Sequence, residues 1–469
     1  MPIRRVGTVR LVELAEGWRG EQRSSWAALS SRLRLLIIDG RITAGSVLPA
    51  ERQLATALGL SRTTVNAAYA ALRTDGFLSS RRGSGSVAQV PGQPGHTVFP
   101  REGDIIDLSR ATSGSAPGVH TAAQRALDLL PGRLTTDGYE LSGLPDLRDS
   151  IAERFTERGL TTTPDQILVT SGAQSAISLI ARTLLSRGDK VIVESPSYPH
   201  ALDALRLAGA RLVPIGVDPI AGWDVTSFEY VSGFAHPAMA YLMPDFHNPT
   251  ALSMPVDVRE RVAALLATNE TLLVIDETTA ELDIDRGWAA PPLASLGGKP
   301  DLTLTVGSAS KTVWGGLRVG WIRGSKALVD RLVTARLAND LGAGVIDQLV
   351  MVEMFGGMDQ VVQFRRAVHS ASVRALDDAI ERWQLPWTVT PVAGGISAWV
   401  HLGQPVSSVL ASAARERGLL LGAGPWFGVD GAFERFIRIP ITATPEVIDE
   451  SLSILASAWG EITAADHLI

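Results

Sequence analysis

Gly307-Ser308-Ala309-Ser310-Lys311-Thr312-Val313-Trp314-Gly315-Gly316-Leu317-Arg318-Val319-Gly320-Trp321 holds one of only four lysines among the chain's 43 basic residues. Nearly every cation is written as Arg, so a retained Lys points to a required amine. Arg stays protonated, whereas Lys becomes a neutral nucleophile when its pKa is lowered. Such an amine forms a Schiff base with an aldehyde cofactor. Ser308, Ser310 and Arg318 flank it with hydroxyls and a fixed cation, a set that suits a phosphate. An aldehyde and a phosphate on one cofactor point to pyridoxal 5′-phosphate (PLP). The competing reading is an ordinary lysine in a Gly-rich loop. The other three lysines, Lys190, Lys299 and Lys326, read as loop residues.

Working outward from this stretch, short apolar runs alternate with amphipathic helical patterns. Ile167–Thr170, Val191–Glu194, Arg211–Ile215, Ala240–Met243, Leu272–Asp276, Leu302–Val306 and Val319–Ile322 read as strands. The alternation predicts an α/β domain with a large, mainly parallel sheet. Beyond about residue 345 a long helical stretch precedes two more strand candidates, Ile396–Leu402 and Phe436–Ile441. They predict a smaller α+β subdomain over about 345–469.

The bulk numbers fit this layout. A chain of 469 residues, 45% hydrophobic and 20% charged, is of globular composition and long enough for two to four domains. With no cysteine, disulfides, thiolate metal sites and Cys nucleophiles are excluded. No apolar run of signal-peptide type opens the sequence, and none approaches the ~20 residues of a membrane span. A cytoplasmic location is expected by elimination. The net charge of −6 is unevenly spread: residues 1–90 hold 13 Arg against 6 acids, and the remainder 30 basic against 43 acidic residues. A basic first segment on an acidic chain predicts that this segment meets a polyanion, unless it only neutralises its neighbour.

Within residues 1–88 the order of elements is informative. Leu29, Leu33, Leu36 and Ile37 have helical spacing, ended by Asp39-Gly40. Pro49-Ala50-Glu51 opens a short helix closed by Gly59, and Ser61 caps a third helix running to Asp75. A hairpin follows, Phe77–Ser80 and Gly85–Ala88, turning around Arg82-Gly83. This is a winged helix-turn-helix plan, with the third helix in the major groove. Arg62 would read a guanine, with Ser61, Thr63, Thr64 and Asn66 near bases or phosphates. Arg52 suits a backbone phosphate, and Arg81, Arg82 and Gly83 form a wing tip for the minor groove. Val65, Ala68, Tyr69 and Leu72 are expected in the core. A three-helix protein-interaction module is the alternative. Residues 89–104, rich in Pro and Gly, read as a linker, and 105–469 as the second domain.

The second domain offers a place for every part of a PLP pocket. Gly172, Ala173 and Gln174 lie at a strand-to-helix turn whose free N–H groups would bind the phosphate; an ordinary capped helix is the bland alternative. Tyr198 would stack on the pyridine ring, or simply pack. Asn248 would donate to the phenolic oxygen. Asp276 ends an apolar strand, where a carboxylate would hold the pyridine nitrogen protonated, or merely cap the strand. Arg438 is a cation inside an apolar strand and requires a carboxylate partner, from a ligand or from the protein.

Asp39-Gly40-Arg41, Leu48-Pro49-Ala50-Glu51-Arg52, Leu58-Gly59-Leu60-Ser61-Arg62-Thr63-Thr64-Val65 and the Ser80–Ser86 hairpin closely resemble the DNA-binding domain of the GntR family. From about 105 to 460 the motif order resembles fold-type I aminotransferases, including Gly143-Leu144-Pro145 and Leu147-Arg148. The combination resembles the MocR/GabR-type transcriptional regulators. The resemblance implies a fold of α/β class: an N-terminal winged helix-turn-helix plus a fold-type I PLP-dependent aminotransferase-like domain. It also implies a head-to-tail homodimer binding double-stranded operator DNA, and an amino-group effector. By the same resemblance Lys311 is the Schiff-base lysine and Asp276 the pyridine partner. Ser308, Ser310 and Arg318 hold the phosphate with Ala173 and Gln174. Arg438 and His200 face the effector.

Three positions depart from the family pattern. Thr278 and Thr279 stand where a Tyr usually follows the Asp. His200 stands where some members carry Arg, so a GABA-like ligand is not implied. Ala251 replaces the Gly usual after Asn-Pro-Thr. Two functions remain open at this point: a PLP-dependent regulator, and an active aminotransferase with an accessory DNA-binding domain. A PLP-independent DNA-binding protein fits the pocket residues less well.

Overall fold

The apolar spacing near the N-terminus builds a small helical core. The structure, a computed structural model, describes residues 6–14, 25–38, 42, 46–74, 77–81, 85–89, 105–288 and 290–466. Helices α1 (Thr8–Leu14), α2 (Ser25–Ile38), α3 (Glu51–Leu58) and α4 (Arg62–Thr74) precede a hairpin of β1 (Leu78–Arg81) and β2 (Gly85–Ala88), with Leu78 opposite Ala88. Leu11, Leu29, Leu33, Leu36, Leu54, Val65, Tyr69 and Leu72 are buried together, each side chain contributing about 1.5–3 kcal/mol by burial. Gly59 ends α3 with φ +65°, and its N–H reaches back to the carbonyls of Ala55 and Thr56. Ser61 Oγ accepts the Thr64 N–H at 3.0 Å and so caps α4. Helix α1 has no counterpart in the sequence reading. The Asp39-Gly40 and Asp75-Gly76 stops, the Arg82-Gly83 tip and residues 90–104 of the linker lie outside the described residues.

After β3 (Ile106–Asp107), α5 (Val119–Leu129) and α6 (Pro145–Glu157), strands and helices alternate: β4 (Ile167–Thr170), α7 (Ala173–Leu184), β5 (Lys190–Ser195), α8 (Pro199–Leu207), β6 (Arg211–Asp218), β7 (Gly222–Trp223), α9 (Val225–Phe234), β8 (Met239–Leu242), α10 (Val256–Thr268), β9 (Leu272–Asp276), β10 (Thr303–Ser308), β11 (Gly320–Arg323) and α11 (Lys326–Arg336). The sheet order is β4-β11-β10-β9-β8-β5-β6-β7. Only β11 and the short edge strand β7 run antiparallel to their neighbours. Strands β4, β8, β9 and β10 are buried along their whole length, because helices cover both faces; hence their continuous apolar sequences. Gly172, Tyr198 and Lys311 follow the carboxyl ends of β4, β5 and β10, and Asp276 forms the carboxyl end of β9, where ligands bind in open α/β sheets.

The chain continues through α12 (Val345–Phe355), α13 (Met358–Arg382), β12 (Thr388–Val389), β13 (Ser397–His401), α14 (Ser407–Glu416), β14 (Leu419–Leu420), β15 (Gly422–Ala423), β16 (Phe436–Pro440) and α15 (Pro445–Asp466). A four-stranded sheet has the order β12-β13-β16-β15, and β14 pairs parallel with β3. The chain divides into two compact units. One comprises Met1–Leu108, Leu402–Ile437 and Ser453–Ile469; the other comprises Ser109–His401 and Arg438–Leu452. Helices α12 and α13 therefore group with the large sheet.

Candidate functional site

Helix α4 separates two kinds of residue by its own geometry. Val65, Ala68, Tyr69 and Leu72 face inward, while Arg62, Thr63 and Asn66 are exposed and Thr64 is half-buried. Tyr69 Oη donates to Pro49 O at 3.0 Å, and Arg73 Nη2 joins Glu51 at 3.0 Å to Ser86 Oγ at 3.1 Å. These bonds tie α4 to the start of α3 and to the wing strand. Arg52 on α3 is exposed. The backbone of Arg81 ends β1, whereas Arg82 and Gly83 fall outside the described residues.

In the larger unit, Lys311 sits in a single π-helical turn, Ser310–Trp314, a rare conformation frequent at functional sites. Its Nζ donates to Ala111 O at 2.8 Å. Burial pulls its pKa down to about 8, helped by the charges of Arg438 and Arg318 and opposed by Asp276. The turn is braced by Arg365 on α13. This buried guanidinium donates to Thr312 O and Gly114 O at 2.7 Å and to Val313 O at 2.9 Å. Sequence reasoning missed Arg365. Its only signal was a cation on the buried side of a helical pattern.

The phosphate-type residues converge at the other end of the turn. Ser308 Oγ and Ser310 Oγ are 2.8 Å apart. Arg318, held at φ +52°, donates from Nη2 to Ser171 O at 2.7 Å. Gly172 has φ +94° and precedes α7 without any side-chain cap, so the first N–H groups of that helix have no side-chain acceptor. A Cβ on Gly172 would stand 2.7 Å from Arg318 Nη2, and one on Gly320 would strike the Gly172 and Ala173 backbone at 2.6–2.7 Å. Two glycines thus let a strand and an arginine close on the turn. Gln174 Nε2 donates to His200 O at 2.8 Å.

The ring-type residues lie at the strand ends. Asp276 is buried; its Oδ2 accepts from Tyr241 Oη at 2.5 Å and its Oδ1 from the Thr278 N–H at 3.0 Å. Burial raises its pKa against the pull of the Tyr241 bond and of those from the Thr278 side chain and backbone. Tyr198 has its pKa pushed up to about 12, first by burial and then by the Asp276 charge. Asn248 is buried and precedes a cis bond to Pro249, and its Oδ1 has no hydrogen-bond partner among the described residues. The segment around it is held by Asp245, paired with Arg259 and Arg286 at 2.6 Å. Thr279 Oγ1 donates to Asp245 O at 2.8 Å and is committed there. Ala251 adopts φ +61°, which accounts for the glycine usual at that place.

Arg438, buried on β16, donates to the carbonyl of Ser109. Its charge is felt at Lys311, Tyr198 and His200. The His200 ring stands edge-on to Tyr198 at 5.5 Å, and its pKa is lowered by burial and by the charges of Arg438 and Lys311. Lys311, Asp276, Tyr198, Arg318, Arg438 and His200 therefore form one electrostatic cluster. The residues fit PLP on three grounds: a depressed amine, a buried carboxylate within electrostatic reach of it, and an anion cradle that a single methyl group would fill.

A profile for aminotransferase class I and II matches residues 111–455, and one for bacterial regulatory proteins of the gntR family matches residues 27–87. The pyridoxine biosynthesis transcriptional regulator PdxR of Corynebacterium glutamicum is 28% identical over 86% of this chain and 89% of its own. The HTH-type transcriptional regulator TauR of Rhodobacter capsulatus is 27% identical over 92% and 96%. Among solved structures, LysN, the α-aminoadipate aminotransferase of Thermus thermophilus, complexed with N-(5′-phosphopyridoxyl)-L-leucine, superposes with a TM-score of 0.70. It is 26% identical and covers 77% of this chain and 94% of its own.

The fold and site thus define a DNA-reading helical domain joined to a fold-type I PLP domain. The chain belongs to the aminotransferase class I and II family, a PLP-dependent family, and carries a gntR-type domain ahead of it.

Proposed function

We propose that this chain is a PLP-dependent, DNA-binding transcriptional regulator that senses an amino compound at Lys311. One observation carries the reading: a lysine with a depressed pKa, facing Asp276 and Arg438, occurs in the same chain as an exposed Arg62–Asn66 face on a capped helix. PLP, when bound, supplies an aldehyde that takes up amines and a ring that accepts electron density. Lys311 would hold it, Asp276 would face its ring nitrogen, Tyr198 its ring face and Asn248 its phenolic oxygen. Gly172, Ala173, Gln174, Ser308, Ser310 and Arg318 would surround its phosphate. Arg438 would take an effector carboxylate, with His200 beside it as a largely neutral imidazole. Arg52, Ser61, Arg62, Thr63, Thr64, Asn66 and the Arg81–Gly83 wing would meet the duplex. A homodimer, head-to-tail and cytoplasmic, suits two-fold operator recognition.

Regulation requires that the effector bind two conformations with different affinity. The test is operator affinity, by fluorescence anisotropy on a duplex selected with the purified PLP-loaded protein, with and without amino acids. An amino compound should change the affinity of the wild type and leave Lys311→Ala unresponsive but still DNA-binding. Sustained multiple turnover with a keto-acid acceptor, together with operator affinity indifferent to every amine tried, would instead establish the aminotransferase.

A further inference from the structure

The side chain of Tyr241 is fully buried in β8, a strand otherwise built of Met239, Ala240 and Leu242. In the parallel pairing of β8 with β9, Tyr241 stands opposite Val274. Side chains two residues apart share a face, and two residues span about 6.6 Å. A tyrosine opposite Val274 therefore reaches the level of Asp276 along the same face, and its hydroxyl meets Oδ2 at 2.5 Å. The Thr278 N–H holds Oδ1 from the other side. The Thr278 side chain bonds the carboxylate as well, so about one of its roughly four acceptor positions stays open. These donors thus fix the plane of the carboxylate and leave acceptor capacity for one more partner.

Stability alone does not explain this arrangement. A buried acid and hydroxyl can be exchanged for apolar residues without loss of stability. Glu194 on β5 is also buried and its charge works against a second ionised carboxylate. Tyr198 ahead of α8 and Lys311 after β10 also feel the Asp276 charge, Arg318 and Arg438 act on both of them, and His247 lies 3.4 Å from Glu194. Tyr241 itself stays protonated, because burial and the Asp276 charge raise its pKa well above the ordinary value. It is a permanent donor.

We propose that Tyr241 is the positioning residue of Asp276, orienting its carboxylate and keeping it ionised toward the pyridine nitrogen of the cofactor. The inference rests on the assignment of Asp276 as the pyridine partner. Tyr241→Phe removes one oxygen and keeps the buried ring; thermal unfolding checks the fold. PLP affinity is measured by absorbance titration across pH for the wild type, Tyr241→Phe, Asp276→Asn and the double variant. A hydrogen bond to a charged group implies about tenfold or greater loss of affinity in Tyr241→Phe. Without that donor Asp276 protonates more easily, so the acid limb of the affinity profile moves to higher pH. That midpoint does not depend on the fraction of protein folded. Asp276→Asn should remove the part of the acid limb that Asp276 contributes and leave that of Lys311 and the cofactor phosphate, and Tyr241→Phe should add little in its presence. An acid limb unmoved in Tyr241→Phe but reduced in Asp276→Asn overturns the proposal. An acid limb in Asp276→Asn identical to that of the wild type overturns instead the assignment of Asp276 on which it rests.

Discussion

Replacing Gly172 by Ala builds a methyl group into the space between the start of α7 and the Arg318 guanidinium. The new Cβ would lie 2.7 Å from Nη2 and 3.2 Å from Cζ. The backbone there, φ +94° and ψ 165°, is a conformation open essentially to glycine, and holding another residue in it costs about 1–3 kcal/mol. Arg318 must also swing away and release Ser171 O, now held at 2.7 Å. A charge-assisted bond of this kind is worth about 1.5–3 kcal/mol, and the exposure of Arg318 argues for the lower end. The backbone strain affects folding stability, whereas the displaced guanidinium affects whatever anion it holds. The assay separates the two by titrating the protein with PLP and with pyridoxal, which lacks the phosphate. Phosphate-specific affinity should fall about tenfold or more, as ~1.4 kcal/mol per decade requires, with pyridoxal binding nearly unchanged. Arg318→Ala should lose the same factor, and the two changes together should be far from additive, because they remove one interaction. Equal weakening of both ligands, or additivity, would refute the phosphate cradle.

Capture of PLP by Lys311 should rise as pH increases through about 8, not 10.5. The neutral amine is the reactive form, and at pH 7 that lowering raises its population roughly 300-fold. Stopped-flow absorbance measures this rate, and a midpoint near that of an ordinary lysine would contradict it. Arg365→Met strands the carbonyls of Gly114, Thr312 and Val313; about 2–4 kcal/mol of stability should be lost in urea unfolding. Arg62→Ala should weaken duplex affinity by about 1–3 kcal/mol at constant salt and leave unfolding unchanged. Ser61→Ala, which removes the cap on Thr64 N–H, should lower stability by about 1 kcal/mol.

What could be read from the sequence follows from the range over which each signal acts. The buried parallel strands are continuous apolar runs, so β4, β5, β8, β9 and β10 declare themselves locally. Gly59 and Ser61 mark helix ends through bonds three or four residues long. Helix α1 has only 7 residues, too few for a periodic pattern, though Leu11 is wholly buried. Strands β3, β14 and β15 have two residues each and exist only because a distant partner pairs with them. Tyr241 and Arg365 escaped notice for the same reason. Their partners lie 35 and 53 residues away, and only the sheet register and the packing of α13 bring them together.

The arginine bias noted at the outset acquires a structural cause. Arg259, Arg336 and Arg365 are all nearly inaccessible, and each spends its planar fork on several backbone carbonyls at once. An ammonium offers three donors on a flexible stem and is more costly to dehydrate, so lysine is a poor substitute in such places. Lys190, Lys299 and Lys326 are exposed, bonded to Ala235 O, Glu270 and Asp330. Lys311 alone among the four faces inward. At a position where this protein elsewhere uses a guanidinium, it keeps the one cation that can shed its proton near neutrality. A purely structural role would be served by Arg there. Lys311→Arg should fold, keep its duplex affinity and lose covalent PLP uptake, as read by borohydride trapping; retained uptake would detach the reactive amine from this residue.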